Sequence, residues 1–340
     1  MTLANAQPCL VIAEAGVNHD GDVERACELV RAAAACGADA VKFQSFRADR
    51  LVTRTAPRAT YQRRAGEDAG QHALLRALEL DVAAHERLFR LAEDEGIEFL
   101  STPYDPESAD LLDALGVTRF KLPSGELTHT AFVTYVASKG RPLLVSTGMA
   151  DLDEVAEGLA ATHAAGNADV TLLHCTSSYP ADPASANLRA IETLREHFGL
   201  PVGFSDHTEG SASACAAVAL GACVVEKHFT LDRSGPGPDH RASMEPAEFA
   251  ALVEGLRTVE RALGSGEKRP TASEQEARQL ARRGLWTTRD LPAGRVLGPG
   301  DVVALRPATG LPANALASVV GRRLRTDVRG DQPLREEQLA

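Results

Sequence analysis

No CxxC pair occurs among the six cysteines of this sequence. Cys9, Cys27, Cys36, Cys175, Cys215 and Cys223 sit mostly within apolar runs and read as buried free thiols of a reducing cytoplasm. An uninterrupted apolar span of membrane length is also missing. The N-terminus MTLANAQPCLVIAEAG lacks a basic segment followed by a long apolar one. Neither an export signal nor a membrane anchor is indicated, and the expected location is cytoplasmic. There is no surplus of positive charge. A formal net charge of -11 argues against sequence-independent binding to nucleic acid, which needs lysine and arginine to neutralise phosphates. It leaves room for an anionic small substrate, since a few local lysines can make a positive site inside an acidic protein.

At 340 residues the chain exceeds what one ordinary domain needs, so one large domain plus a small one is expected. With 44% hydrophobic and 24% charged residues it reads as a soluble globular protein. Short β-like runs alternate with helical patterns from residue 10 to about 262. The runs are CLVIAEAG, DAVKFQS, EFLSTP, RFKLPSG, PLLVSTG, VTLLHCT, PVGFSDH and CVVEKHF. Segments such as 22-DVERACELVRAAAACG-37, 83-AAHERLFRLAEDEG-96 and 151-DLDEVAEGLAATHAAG-166 carry helical spacing and end on a glycine suited to a C-cap. Eight β-runs, each followed by a helix, predict a (β/α)8 TIM barrel over 1–263, with a doubly wound open sheet as the alternative. A weak repeat, 37-GADAVKF-43, 116-GVTRFKL-122 and 221-GACVVEKHF-229, supports one recurring βα unit. The polar stretch 47–70 is an extended loop after the second strand, of a length typical of a lid or interface. Residues 264–283 read as a linker, and 284–340, with Pro-Ala-Gly and Gly-Pro-Gly-Asp turns, as a small domain of short strands.

Active residues of a barrel lie at the C-terminal strand ends. Every β-run here ends in hydroxyl, carboxylate, amine or imidazole. Lys42 and Lys121 with Ser124, Ser146 and Ser205 make a set for one phosphate: the cations supply charge and the hydroxyls directed donors. Any single serine is better explained by helix capping; two lysines inside a barrel are harder to put down to accident, since lysine is seldom buried there without a partner. His207 and His228 end the seventh and eighth runs, which are neighbours in a barrel. Two imidazoles with open positions suit a catalytic divalent metal; the alternative is a hydrogen-bonded pair, or one acid or base. Glu14, Glu126 and Asp239 are candidate acids or bases, or salt-bridge partners of the lysines. His174 and Cys175 cannot form a dyad, because adjacent strand residues point to opposite faces.

The sequence resembles the sialic acid (N-acetylneuraminate) synthase family of nonulosonic acid synthases. The matching stretches run in order along the whole chain: 12-IAEAGVNHDGD-22, 37-GADAVKFQ-44, 100-LSTPYD-105, 121-KLPSGEL-127, 145-VSTGMA-150, 174-HCTSSYP-180, 205-SDHT-208, 226-EKHFT-230, 238-PDHRASMEP-246 and 306-RPATG-310. The resemblance implies a (β/α)8 barrel joined to a C-terminal antifreeze-like (SAF, β-clip) domain in a domain-swapped homodimer. It implies condensation of phosphoenolpyruvate with an N-acylated aminosugar aldehyde, by C–O cleavage with release of phosphate. By motif position, Lys42, Lys121, Ser124, Ser146, Ser177 and Ser205 would hold phosphoenolpyruvate. His207 and His228 would bind Mn2+, or Mg2+ or Co2+ in its place. Glu14, Gln44, Glu126, Tyr179 and Asp239 would face the sugar or the reacting carbons, and Arg306 would reach its acyl group across the dimer. Glu14 or Glu126 would shuttle protons.

Two departures stand at the sugar end, Ser177 and His129, where family members often carry Asn. The motifs sit closer to the sialic and legionaminic branches than to the pseudaminic one, so N-acetylmannosamine and a 2,4-diacetamido trideoxyhexose are the expected acceptors, with an unusual aldehyde as the alternative. A synthase acting on a phosphorylated sugar would need a second, arginine-rich phosphate cluster, which the strand ends lack. A non-catalytic SAF-domain binding protein has no use for the costly lysines and histidines.

Overall fold

The computed structural model describes residues 8–57 and 70–340. The first seven residues and most of the polar tip of the 47–70 loop (58–69) lie outside the described residues. The chain divides into two compact units, one ending at Ser265 and the other beginning at Gly266.

In the first unit, eight strands form one parallel sheet: β1 Leu10–Gly16, β2 Ala40–Ser45, β3 Glu98–Pro103, β4 Phe120–Leu122, β5 Leu143–Ser146, β6 Val170–Cys175, β7 Val202–Asp206 and β8 Val224–His228. Their order is β3-β2-β1-β8-β7-β6-β5-β4, and the end strands β3 and β4 lie against each other, so the sheet curls into a barrel instead of the open doubly wound alternative. Helices α1 (Val23–Ala35), α2 (Ala48–Leu51), α3 (Gln71–Ala77), α4 (Val82–Asp94), α5 (Pro106–Leu115), α6 (Thr130–Ala137), α7 (Leu152–Ala164), α8 (Ala190–Phe198), α9 (Ala212–Ala219) and α10 (Pro246–Leu263) follow the strands. The helix boundaries have local causes. Asp22, Asp81, Asp105 and Asp151 cap α1, α4, α5 and α7 by accepting from first-turn amides, and the predicted stop glycines 37, 96 and 166 have φ of 78°, 69° and 80°.

Period-two alternation places the site. Val11, Ala13, Val41, Phe43, Phe99 and Phe204 point out to the helices and form the main core. Their neighbours Ile12, Ala40, Leu100, Leu144, Leu173 and Val224 point in and fill the barrel with an apolar plug. Two residues further along those strands stand Glu14, Lys42, Thr102, Ser146, Cys175 and Glu226, all buried. The charged layer therefore sits on the plug, at the C-terminal strand ends. The plug is tight: a Cβ on Gly203 would lie 2.6 Å from Leu173 and from Val224.

The second unit pairs β9 (Gly284–Thr287) antiparallel with β10 (Val302–Leu305) and adds isolated bridges such as Leu291 with Val328 and Leu324 with Leu339. It has its own core of Leu285, Leu291, Leu297, Val302, Leu324 and Leu334 among others. Buried Asp301 accepts from Arg289 (2.7 Å), Arg295 (2.9 Å) and the Gly298 amide (2.9 Å). The stretch read as a linker contains an exposed helix, α11 (Gln275–Ala281), preceded by a turn in which Thr271 and Glu274 cap one another reciprocally. Among the described residues, no helix is long and apolar enough to cross a membrane.

Candidate active site

A cavity of about 410 Å³ opens at the C-terminal ends of the barrel strands. Glu14, Lys42, Gln44, Lys121, Ser124, Ser146, Ser177, Tyr179, Ser205, His207, His228 and Asp239, all expected from sequence, line it together. Glu126 does not. It belongs to a short turn, Ser124–Glu126, and its carboxylate accepts from His129 Nδ1 at 2.8 Å. His129 is exposed and stacks on Phe132, outside the lining; of the two departures only Ser177 reaches the cavity. Arg306 belongs to the second unit, where its side chain is exposed.

The floor is a four-charge cluster. Lys42 Nζ lies 2.5 Å from Glu14 and 3.6 Å from Glu226, and donates to Thr102 at 3.0 Å. Lys121 Nζ lies 3.5 Å from Glu226, which also accepts from the Ser205 hydroxyl at 2.7 Å. Glu226 thus joins β2, β4 and β7 to its own strand β8, and sequence reasoning assigns it no role. The signal lay in its position, two residues before His228 and on the same face of β8. Burial opposes its ionisation, but Lys121 and Lys42 outweigh that and hold its carboxyl down at about 2. Burial disfavours the charge on Lys42 too, and Glu14 and Glu226 more than restore it. Lys121 has less compensation, so burial leaves it below the usual lysine range. Glu14 is lifted by burial against the pull of Lys42, and Asp239 rises to about 6 through burial and the nearby Glu14 charge.

Gly16 makes room between these groups. The β1–β2 register shifts between Glu14 and Gly16, whose φ is 52°, and a Cβ there would sit 3.3 Å from both Glu14 Oε1 and Gln44 Nε2. On the opposite side, the Gly148 amide donates to Ser124 Oγ at 2.9 Å, and a Cβ on Gly148 would collide with Ser177 and Ser124. Ser146 Oγ is buried and, among the described residues, has no hydrogen-bond partner. These hydroxyls and the close backbone leave a cradle beside Lys121.

The two histidines meet as expected of neighbouring strands, with ring centroids 5.4 Å apart. His207 donates Nδ1–H to the Thr176 carbonyl at 2.8 Å, which leaves Nε2 as a lone-pair donor; Tyr179 covers the ring at 4.2 Å. Burial, then His207 and Lys42, hold His228 well below the usual histidine range, and among the described residues its buried Nδ1 has no hydrogen-bond partner. Asp239 Oδ2 is 4.0 Å away. Burial opposes the charge on His207, but Cys175 and the Thr176 carbonyl outweigh it and raise the imidazole above the usual histidine range; a divalent transition metal would take both rings in their neutral form through their unspent nitrogens. His174 points out of the barrel, stacks on Phe204 and donates to the Ala186 carbonyl at 2.7 Å, while Cys175 faces in and lies 3.8 Å from His207.

Asp239 arrives on a loop built around the buried His240. That ring lies 3.1 Å from Asp20 and 2.6 Å from the Thr230 hydroxyl, and a Cβ on Gly235 would come within 2.7 Å of it. The glycines of 235-GPGPDH-240 let the loop wrap the imidazole.

Fold and site together define an enzyme of the (β/α)8-barrel class with a lysine-lined, imidazole-bearing mouth. A NeuB family model matches residues 29–268, and an SAF domain model matches 282–340. The chain is 49% identical over 325 residues to N,N'-diacetyllegionaminic acid synthase of Legionella pneumophila, covering 94% of this chain and 91% of that one. It is 35% identical over 334 residues to human N-acetylneuraminate-9-phosphate synthase, covering 97% and 92%. Among solved structures, sialic acid synthetase of Leptospira borgpetersenii in complex with citrate superposes with a TM-score of 0.70 at 33% identity, covering 80% of this chain and 90% of that one. The chain belongs to the NeuB family and carries an SAF domain.

Proposed function

We propose that this enzyme condenses phosphoenolpyruvate with an open-chain N-acylated aminosugar aldehyde, cleaves the C2–O bond and releases phosphate and a nonulosonic acid. A 2,4-diacetamido-2,4,6-trideoxyhexose is the preferred acceptor, a choice supported by the legionaminic acid synthases of Legionella pneumophila and Campylobacter jejuni at 49% and 43% identity. One observation carries the reaction class: two buried lysines share Glu226 beside the unpartnered Ser146 hydroxyl and the Gly148 cradle. That arrangement suits a phosphate dianion leaving from carbon, with its charge met by fixed cations and donors.

The placement supports the following roles. Lys42 and Lys121 hold the phosphate, with Ser124, Ser146, Ser177 and Ser205 as donors. C3 of the enol attacks the aldehyde carbon, water adds to the cationic C2, and the tetrahedral carbon expels phosphate. Asp239, with its carboxyl raised to about 6, is placed to hand a proton to the aldehyde oxygen. Glu14 is placed to take one from the attacking water. His207 and His228 would hold a divalent metal, Mn2+ in this proposal, which would supply Lewis-acid polarisation of the aldehyde oxygen. Glu226 keeps both lysines charged while the site is empty of substrate.

The domain-swapped homodimer, with Arg306 of one chain meeting the acyl group in the other, and the cytoplasmic location complete the reading. The first rests on the family resemblance and the second on six free cysteines. The test is phosphate release from phosphoenolpyruvate with Mn2+ and each acceptor, repeated with chelator and with His207→Ala and His228→Ala. Release that needs an aminosugar, metal and both histidines supports the proposal; full metal-dependent turnover by His228→Ala refutes the metal assignment.

A further inference from the structure

The cavity differs in chemistry from side to side. Toward β4–β6 it presents serine hydroxyls, and toward β7–β8 His207, His228 and Asp239. Toward β1–β3 it is lined by Val17, Leu51, Val52, Leu74, Leu75 and Leu78. This wall is built: Val17, Phe46 and Leu78 are buried in a cluster of their own, and Leu51, Leu74 and Leu75 pack against it. The helices that carry most of it, α2 and α3, are tied together. Asp49 takes His72 at 2.9 Å and Arg76 at 3.0 Å, and Glu79 accepts from the Ala48 amide at 2.7 Å. Gln71, also in the lining, adds an amide to the aliphatic surface.

Phosphoenolpyruvate, a small trianion held by the lysine cluster, has no group suited to such a wall. A sugar hydroxyl set against it loses water without gaining a partner, whereas a methyl gains by burial. An acetamido group has both halves the wall can use, an amide for Gln71 and a methyl for the leucines. We propose that this wall is the acceptor subsite for acylamino and deoxy methyl groups, and that Leu74 and Leu75 select a diacylamino, 6-deoxy sugar over a polyhydroxylated one. The inference rests on the condensation proposed above.

The experiment measures kcat/KM at saturating phosphoenolpyruvate for 2,4-diacetamido-2,4,6-trideoxymannose and for N-acetylmannosamine. It compares the wild type with Leu74→Gln, Leu75→Gln and the control Ala73→Gln, whose position is exposed on the same helix and outside the lining. One methyl in an apolar pocket is worth roughly 10-fold or more. The wild type and the control should prefer the diacetamido sugar by at least about that factor, and each leucine variant should cut the preference by about 10-fold through the acceptor KM. The KM for phosphoenolpyruvate should not move. An unchanged ratio in both leucine variants, or equal losses with both sugars, overturns the inference while leaving the condensation standing. No phosphate release by the wild type with either sugar sinks the condensation first and the subsite with it.

Discussion

Replacing Glu226 with Gln removes the carboxylate that both cavity lysines share. Lys42 keeps Glu14 at 2.5 Å, but among the described residues Glu226 is the sole ion-pair partner of Lys121. At 3.5 Å and an effective dielectric of about 20, that attraction is about 5 kcal/mol. Burial already disfavours the Lys121 charge, so in the variant the amine sheds its proton rather than remain buried and unpaired. Phosphoenolpyruvate binding must then restore the proton. Affinity should be near the wild-type value at the acid end and fall by up to about tenfold per pH unit above the new Lys121 titration, while the wild type changes far less. Titration calorimetry of phosphoenolpyruvate across roughly pH 6 to 9, in buffers of different ionisation enthalpy, reads both the affinity and the proton uptake. Wild-type-like pH dependence in Glu226→Gln, with no added proton uptake, would refute the claim that Glu226 keeps Lys121 charged.

Gly148→Ala should raise the KM for phosphoenolpyruvate by about 5- to 160-fold, since overpacking against Ser124 and Ser177 costs about 1–3 kcal/mol; steady-state kinetics with each substrate varied checks this. His240→Asn should lower kcat/KM for the sugar while leaving the KM for phosphoenolpyruvate, because it loosens the loop that carries Asp239 and touches no part of the lysine cluster. Asp301 is held below its ordinary value of 3.8 by Arg295, the Gly298 amide and Arg289. A depressed carboxyl stabilises the fold above the unfolded value and loses that contribution as the pH falls through the folded one. Thermal unfolding of the full chain should therefore show Asp301→Asn less stable at neutral pH, with the gap closing as the pH drops below 3.8.

The barrel was legible because eight runs alternate with helices whose aspartate caps and stop glycines are local signals. The lysines and the histidines were legible because strand ends converge in a barrel and period two fixes which neighbours converge; Asp239 lies on a loop beyond β8 and was legible through the 238-PDHRASMEP-246 motif that carries the family resemblance. Glu226 was passed over because its importance comes from Lys42 and Lys121, which approach it from β2 and β4, and no spacing within one chain segment encodes that approach. Glu126 misled for the opposite reason: it follows Ser124 in a motif, yet the intervening turn points it at His129. Part of the leucine wall, Leu51 and Val52, is written in the 47–70 segment that reads as loop, and its remaining leucines follow directly after it. Its helices are only 4 and 7 residues long, too short to show a period, and their apolar side chains pack on a cluster that includes Val17 and Phe46 from beyond other strands. The helix inside the supposed linker was hidden by its composition, since every one of its residues is exposed and none marks a buried face.

The most direct test of the central claim follows the bridging oxygen of phosphoenolpyruvate labelled with heavy oxygen, in a turnover with Mn2+ and the diacetamido sugar. The account predicts that the label leaves with phosphate, in step with formation of a nine-carbon acid of the condensation mass. Label retained on C2 of the product, or phosphate released without any new carbon–carbon bond, would contradict it.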